Sequence, residues 1–253
     1  MFSAAPALAS SSDWIETDGG RVRLVTAGMP DASGRLRGAL EIALNSGWKT
    51  YWRDPGDAGI PPSMDLAGSI NVASAEIGFP PPKRFDDGYS VWAGYDRPVS
   101  LPVTFSVTSP DRFSAIEAKV FLGVCETVCI PVQGTLSLEP ASDPENAADI
   151  AAVEAAFAAL PAPATADFGI SDWRLSGKRL VVNVMLPEGG AEAELFLAGE
   201  GYVFGIPEKA ERDGKSVFEV DIIGRPADSA NAAPIDYVLA TGEGSVSGAL
   251  PPP

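Results

Sequence analysis

The stretch FLGVCETVCIPVQGTL, Phe121 to Leu136, holds both cysteines of the chain inside a run that is otherwise typical of β-structure. Three residues separate Cys125 from Cys129. In an extended strand their Cα atoms would lie about 13 Å apart, whereas a disulfide needs them within about 4.4–6.8 Å. If the cysteines pair, the chain turns back at Glu126–Val128. The segment is then a tight hairpin or a single helical turn between two strands.

Short alternating runs surround this segment, from Asp13 to about Pro140. Glycine and proline break them at even spacing and no amphipathic helix lies between them, which is typical of an antiparallel β-sandwich. Similar runs resume after about residue 163 and continue to the end of the chain. We therefore predict a first domain over residues 12–140, a linker helix over 141–163 and a second domain over 164–253.

The predicted linker is alanine-rich and carries Ile150, Val153 and Phe157 at helical spacing. The β-regions on its two sides resemble one another, which indicates an internal duplication. The run KVFLGVCETVCIPVQGTLSL lines up with DYVLATGEGSVSGALPP, where Gly, Ser and Thr stand in place of the cysteines. If the duplication is real, the fold does not need a disulfide at this point.

Composition excludes several classes of function. The formal net charge of -16 argues against nucleic acid or an anionic membrane surface as a partner, since both require a positive face. It also favours a soluble monomer. The chain has no histidine, which removes Ser-His and Cys-His catalysis and histidine-ligated metals.

The residues alone leave three interpretations of the cysteine pair open. A bridge across so short a loop restricts the unfolded chain little, by less than the ~3 kcal/mol expected for a 15-residue loop, so it is poorly placed as a staple. Strained or exposed disulfides are more easily reduced, which favours redox exchange. Two thiolates also suit Cu(I). An inert bridge, a redox pair and a copper site all remain.

The start of the chain, MFSAAPALASSSDW, is typical of the end of an export signal, with a cleavage-type site at Ala7-Leu8-Ala9. Export would place the protein in an oxidising compartment, where two cysteines pair readily. No window approaches the ~20 apolar residues that a membrane helix needs.

The run NSGWKTYWRDPGDAGIPPSMDLAGSINVASAEIGFPPPKRF, followed by GYDRPVSLPV and the cysteine stretch, resembles the N-terminal periplasmic domain of the DsbD thiol:disulfide interchange family. The closest resemblance is to its ScsB (suppressor of copper sensitivity B) branch, and it covers most of residues 35–140. It implies an immunoglobulin-like fold. We therefore expect an all-β protein of two immunoglobulin-like antiparallel sandwiches joined by a short helical linker, the second without cysteines.

The resemblance also implies a function. The expected activity is that of a protein-disulfide reductase in the periplasm, taking electrons from a membrane-embedded DsbD/ScsB-type domain. The expected acceptors are thioredoxin-like or peroxiredoxin-like exported proteins. The redox-active disulfide needs no cofactor. The ending SVSGALPPP resembles the point before a first membrane helix, so we expect tethering to the inner membrane. The alternative is a non-catalytic exported binding module with an inert disulfide or a Cu(I) dithiolate site.

Carried over residue by residue, the resemblance gives Cys125 and Cys129 the role of the exchanging pair. The family's cysteines are more widely spaced than the three-residue interval here, so the order of attack does not transfer. A cap loop that covers the sulfurs falls at Asp86-Asp87-Gly88-Tyr89. Glycine replaces its covering aromatic at Gly88, which leaves three substitute covers: Phe85, Tyr89 and Trp92.

An aromatic cluster, GWKTYWRDPG, precedes the cap in sequence. Core packing is the default interpretation for Trp48, Tyr51 and Trp52, and a docking surface beside the cysteines is the alternative. Lys49 and Arg53 are expected to be solvated. Acidic neighbours such as Glu126 would raise a cysteine pKa rather than lower it.

Overall fold

The computed structural model describes residues 10–56, 59–86, 88, 90–188, 190, 192–212, 214–227 and 233–252. The segment interpreted as the end of an export signal, residues 1–9, lies outside this description. So do Asp87 and Tyr89 of the predicted cap. The described part is built of sheets whose strands pair antiparallel, apart from one two-residue parallel pair, with one α-helix, α1 (Ala147–Ala158). The predicted all-β, immunoglobulin-like class is confirmed.

The strands before the helix form two sheets. In chain order these strands are β1 (Ile15–Thr17), β2 (Gly20–Ala27), β3 (Arg35–Leu44), β4 (Lys49–Gly56), β5 (Ser63–Asp65), β6 (Val72–Ile77), β7 (Lys83–Asp86), β8 (Val91–Tyr95), β9 (Val99–Val107), β10 (Ile116–Cys125) and β11 (Cys129–Leu138). One sheet has the order β1-β2-β3-β9-β6. The other has the order β11-β10-β4-β8-β7, with β5 also paired to β10.

Strand β10 shows why this sequence forms a sandwich. Alternate residues of a strand point to opposite faces, and alternate residues of β10 are buried in the core: Ile116, Ala118, Val120, Leu122 and Val124. Of the residues between them, Lys119 and Phe121 are exposed, Glu117 is half-buried and Gly123 is buried. The same alternation places Gly123 and Cys125 on the outer face of the sheet.

A single turn of 3-10 helix (Pro140–Ser142) leads to α1. The side chain of Asn146 caps the helix by accepting hydrogen bonds from the backbone N–H groups of Ala148 and Asp149. Val153 and Ala156 pack against Val25 and Ala39 of the first sheet. The helix predicted in this region is present, and its apolar side is buried against β2 and β3.

The strands after the helix also form two sheets. They are β12 (Ala162–Pro163), β13 (Gly169–Ser176), β14 (Arg179–Met185), β15 (Glu194–Ala198), β16 (Val203–Phe204), β17 (Glu208–Arg212), β18 (Lys215–Gly224), β19 (Ile235–Thr241) and β20 (Gly244–Leu250). One sheet has the order β12-β20-β19-β15. The other has the order β13-β14-β18-β16, with β17 beside β18. Leu180 and Phe218 from one sheet and Leu195 and Leu239 from the other share one core.

The chain divides into two compact units. The first comprises Met1–Pro55, Gly59–Pro80 and Gly94–Leu160, and the second comprises Gly56–Ala58, Pro81–Ala93 and Pro161–Pro253. Helix α1 therefore belongs to the first unit. The segment Pro81–Ala93, which contains the predicted cap, is grouped with the second. The sequence-based domain boundaries remain a prediction.

Two phenylalanines of the first unit offer a matched test of its core. Phe105 is fully buried and Phe113 is 56% exposed. Phe105→Ala should lower the free energy of unfolding by about 3–5 kcal/mol, because it removes a packed ring and leaves a cavity. Phe113→Ala should change it by less than about 0.5 kcal/mol. Urea unfolding followed by near-UV circular dichroism measures both, and equal losses in the two variants would contradict the assigned core.

Candidate functional site

The two cysteines lie at the end of the β10–β11 hairpin. The strands pair in register from Ile116↔Leu138 to Cys125↔Cys129. Glu126–Val128 form the turn, in which the N–H of Glu126 donates to the carbonyl oxygen of Val128 over 3.3 Å. A disulfide joins Cys125 to Cys129, with their Cα atoms 4.1 Å apart. The hairpin turn predicted between the cysteines is confirmed.

The two sulfurs differ in their surroundings. Cys125 is 1% exposed, although it lies on the outer face of the sheet, because neighbouring side chains cover it. Cys129 is exposed, and so are the three residues of the turn before it. Cys129 is therefore the more accessible residue of the pair.

Tyr51 on β4 covers the buried side of the disulfide. Its hydroxyl donates a hydrogen bond to the Sγ of Cys125 over 3.0 Å and lies 3.2 Å from the Sγ of Cys129. The residue is only 3% exposed. A hydroxyl in this position stabilises negative charge on either sulfur, since hydrogen bonding to a charged form favours that form.

Gly123 makes room for the Tyr51 ring. A Cβ atom at this position would lie 3.2 Å from Cε2 of Tyr51 and 3.0 Å from Cβ of Ile60. Beside it, the hydroxyl of Thr50 donates to the carbonyl oxygen of Gly123 over 2.8 Å and holds β4 against β10. The glycine two residues before Cys125 was the sequence signal for a close approach of this kind.

The other two aromatics of the GWKTYW cluster make different contacts. Trp52 is 1% exposed and belongs to the core. The ring of Trp48 lies so close to Gly19 that a Cβ there would be 2.3 Å from its Cε3 atom. Tyr51 and Trp52 are buried and have little surface to offer a docking partner. Trp52 packs in the core, and Tyr51 contacts the disulfide.

The described residues of the predicted cap belong to the second compact unit. Phe85 stacks on Trp92 with ring centroids 4.1 Å apart and an interplanar angle of 14°. The carboxylate of Asp86 accepts a hydrogen bond from the N–H of Gly88 over 2.8 Å, which forms a local turn. Their role as a cover for the sulfurs remains a prediction.

Arg84 holds this segment to β15 within the second unit. Its guanidinium donates to the carbonyl oxygen of Leu195 over 2.8 Å and lies 4.7 Å from the ring centroid of Phe196. It also lies 3.9 Å from the carboxylate of Glu194. Burial raises the pKa of Glu194, and the positive charge of Arg84 opposes that rise. No motif in the sequence indicates this contact, because the two residues are far apart in the chain.

Within the described ranges, no group of three or more His, Cys, Asp and Glu residues could hold a metal ion. No helix among the described residues is long and apolar enough to cross a membrane.

Comparison with known proteins agrees with this geometry. Residues 25–141 match the family model described as thiol:disulfide interchange protein DsbD, N-terminal. The fold is similar to the crystal structure of the N-terminal periplasmic domain of ScsB from Proteus mirabilis, with a TM-score of 0.76 and 22% sequence identity over 97% of this chain and 100% of that chain. No curated protein matches the chain in sequence.

The Gly123–Tyr51 contact gives a direct test of the cover. Gly123→Val should displace the Tyr51 ring from the sulfurs and slow reduction of the disulfide by dithiothreitol several-fold, because the departing Cys125 thiolate loses the hydroxyl that stabilises it. Gly242→Val is the matched control, since a Cβ at Gly242 meets nothing within 4 Å. Quenching with a maleimide and counting labelled thiols by mass gives the rates. A Gly123→Val rate equal to that of the control would contradict the assigned cover.

Proposed function

Because residues 25–141 match the family model of the N-terminal domain of the thiol:disulfide interchange protein DsbD, as their resemblance predicted, we propose that the chain is a periplasmic electron-transfer module. It is a thiol:disulfide interchange domain that acts as a protein-disulfide reductase. Cys125 and Cys129 carry the electrons. A membrane-embedded DsbD/ScsB-type domain supplies them, and exported thioredoxin-like or peroxiredoxin-like proteins accept them.

The observation that carries this proposal is the asymmetry of the disulfide. Cys129 is exposed, while Cys125 is buried and its sulfur accepts a hydrogen bond from the Tyr51 hydroxyl. The loop closed by the bridge contains only Glu126–Val128, so the bridge restricts the unfolded chain little. A disulfide that adds little stability and has one exposed cysteine is suited to exchange.

Reduction then proceeds in two steps. A thiolate of the donor attacks the Sγ of Cys129, a bond forms between the two proteins, and the Cys125–Cys129 bond breaks. Cys125 leaves as a thiolate, stabilised by the hydrogen bond from Tyr51, and takes up a proton. The donor's second thiolate then attacks the sulfur of the donor's first cysteine, which breaks the bond between that sulfur and Cys129. The donor is released oxidised, and Cys129 takes up the second proton.

Transfer to the acceptor is the same chemistry in the other direction. The thiolate of Cys129 attacks the acceptor's disulfide, and Cys125 then resolves the mixed disulfide. The acceptor leaves with two thiols and the Cys125–Cys129 bond forms again. Burial of Cys125 fits a sulfur that meets its partner cysteine rather than another protein.

Two further parts of the proposal rest on the family resemblance. The segment that contains Phe85, Asp86, Gly88 and Trp92 covers the sulfurs until a partner docks, and the full-length protein is tethered to the inner membrane. The periplasmic location is supported by the solved structure that shares this fold, which is itself a periplasmic domain.

The reduction potential separates exchange from an inert bridge. Equilibration of the protein with glutathione redox buffers should give a potential above about -300 mV, because structural disulfides in exported proteins lie below that value. Thiol labelling followed by mass spectrometry measures the reduced fraction. A potential well below this limit would make the bridge structural.

Cu(I) titration against a competing chelator, with Cys125→Ser as the control, tests the copper alternative.

Single-cysteine variants test which sulfur exchanges. Cys125→Ser leaves the exposed Cys129, whose thiolate should form a mixed disulfide with an exported thioredoxin-like protein that lacks its resolving cysteine and whose remaining cysteine is held as a mixed disulfide with thionitrobenzoate, which departs as the leaving thiolate. Cys129→Ser leaves the buried Cys125, and should form it at least about 10-fold more slowly, because access governs attack. Non-reducing electrophoresis over time gives both rates. Equal trapping by the two variants would contradict the assigned order, and failure of both would contradict exchange itself.

A further inference from the structure

A row of three residues crosses the second sheet at the disulfide. On β10, Cys125 is in register with Cys129 of β11 on one side and with Lys49 of β4 on the other. Residues directly opposite one another in antiparallel strands project to the same face, with Cβ atoms about 4.5–5.5 Å apart. Lys49 therefore lies beside Cys125 on the face that carries the disulfide.

Tyr51 provides independent evidence for this orientation. It follows Lys49 by two residues on β4, and residues two apart on a strand share a face. The Tyr51 hydroxyl contacts both sulfurs. Lys49 and Tyr51 thus approach the disulfide from the same strand and the same side, and Lys49 is half-buried there.

Few other charges face this position from the described elements. Glu126 in the turn is negative and exposed. Arg53 is on the same face of β4 but lies four residues from Lys49, about 13 Å along the strand. Lys119 of β10 is about 20 Å from Cys125 by the same measure. Since the chain has no histidine and a net charge of -16, a thiolate at Cys125 has few sources of stabilising positive charge.

We propose that Lys49 stabilises the thiolate of the reduced cysteine pair and acts as a positioning charge for exchange. The inference deepens the proposed function and rests on it. When a donor thiolate attacks Cys129, the electron pair of the broken S–S bond moves onto the Cys125 sulfur. That charge develops beside the Lys49 ammonium and the Tyr51 hydroxyl. The Lys49 side chain, expected from the sequence to be only solvated, offsets the acidic surroundings that would otherwise disfavour the thiolate.

The test compares three variants in the reduced protein. Lys49→Met removes the charge with little change in side-chain length, and Lys49→Arg keeps it. Lys119→Met removes a charge on the same face at a distance of about two Debye lengths at physiological ionic strength. The pH dependence of the ultraviolet absorbance of the thiolate and of alkylation by iodoacetamide gives the lower thiol pKa in each variant.

Lys49→Met should raise this pKa by about one unit, as expected for loss of a neighbouring opposite charge. Alkylation at a pH below the wild-type value should then be about tenfold slower, because the thiolate is the reacting form. Lys49→Arg should restore the wild-type profile, and Lys119→Met should not differ from it. A wild-type profile in Lys49→Met, or failure of arginine to restore it, would overturn the inference.

A second measurement separates this inference from the proposed function. Reduction of the oxidised wild type and of oxidised Lys49→Met by the dithiol form of a thioredoxin-like probe is measured at neutral pH, because the Cys125 thiolate is the leaving group in this step. If the probe reacts at the same rate with the wild type and with Lys49→Met at neutral pH, the inference about Lys49 is wrong and the proposed function stands. If the probe never reacts while the thiol pKa still depends on Lys49, the proposed function fails and the stabilising role of Lys49 stands.

Discussion

The antiparallel ladder between β10 and β11 determines where the two cysteines of the proposed redox site lie. Its last pair is Cys125↔Cys129, so the disulfide closes the ladder and the turn together. A slip of one residue would move each side chain to the opposite face of the sheet. The cysteines would then point into the core, and Leu122 and Val124 would point outward. Burial of the alternate apolar residues of β10 therefore keeps the sulfurs on the outer face of the sheet.

The same ladder explains why the site needs a second strand. The turn of Glu126–Val128 presents the sulfurs at the edge of the sandwich, where by itself it would leave both open to solvent. Strand β4 prevents this, because the Tyr51 ring packs over Gly123 and its hydroxyl reaches both sulfurs. The hydroxyl of Thr50 donates a hydrogen bond to the Gly123 carbonyl oxygen and holds β4 against β10. Strand β10 thus sets the position of the sulfurs, and the neighbouring strand β4 makes Cys125 more buried than Cys129.

Local features of the site were predictable from the sequence. The three-residue interval between the cysteines required a turn, and alternation along the flanking runs indicated a sandwich. The contact of Tyr51 with Cys125 was not predictable, because these residues are 74 positions apart in the chain and nothing in either run specifies how β4 aligns with β10. The same limit applies to Lys49, whose importance depends entirely on that alignment. Arg84 illustrates it again, since its carbonyl partner at Leu195 is 111 positions away.

The contacts of Arg84 with β15 limit where the chain can be cut into fragments that keep their native contacts. A fragment ending at Leu160 would contain both cysteines, Tyr51 and Lys49, and would look like a complete redox domain in sequence. It would nevertheless lack the carbonyl oxygen of Leu195, the ring of Phe196 and the carboxylate of Glu194, which together bind Arg84. The segment from Pro81 to Ala93 would then remain in the fragment without the compact unit to which it belongs. The two halves of this protein are consecutive along most of the chain, but they are interleaved in sequence at this segment and are not interchangeable modules.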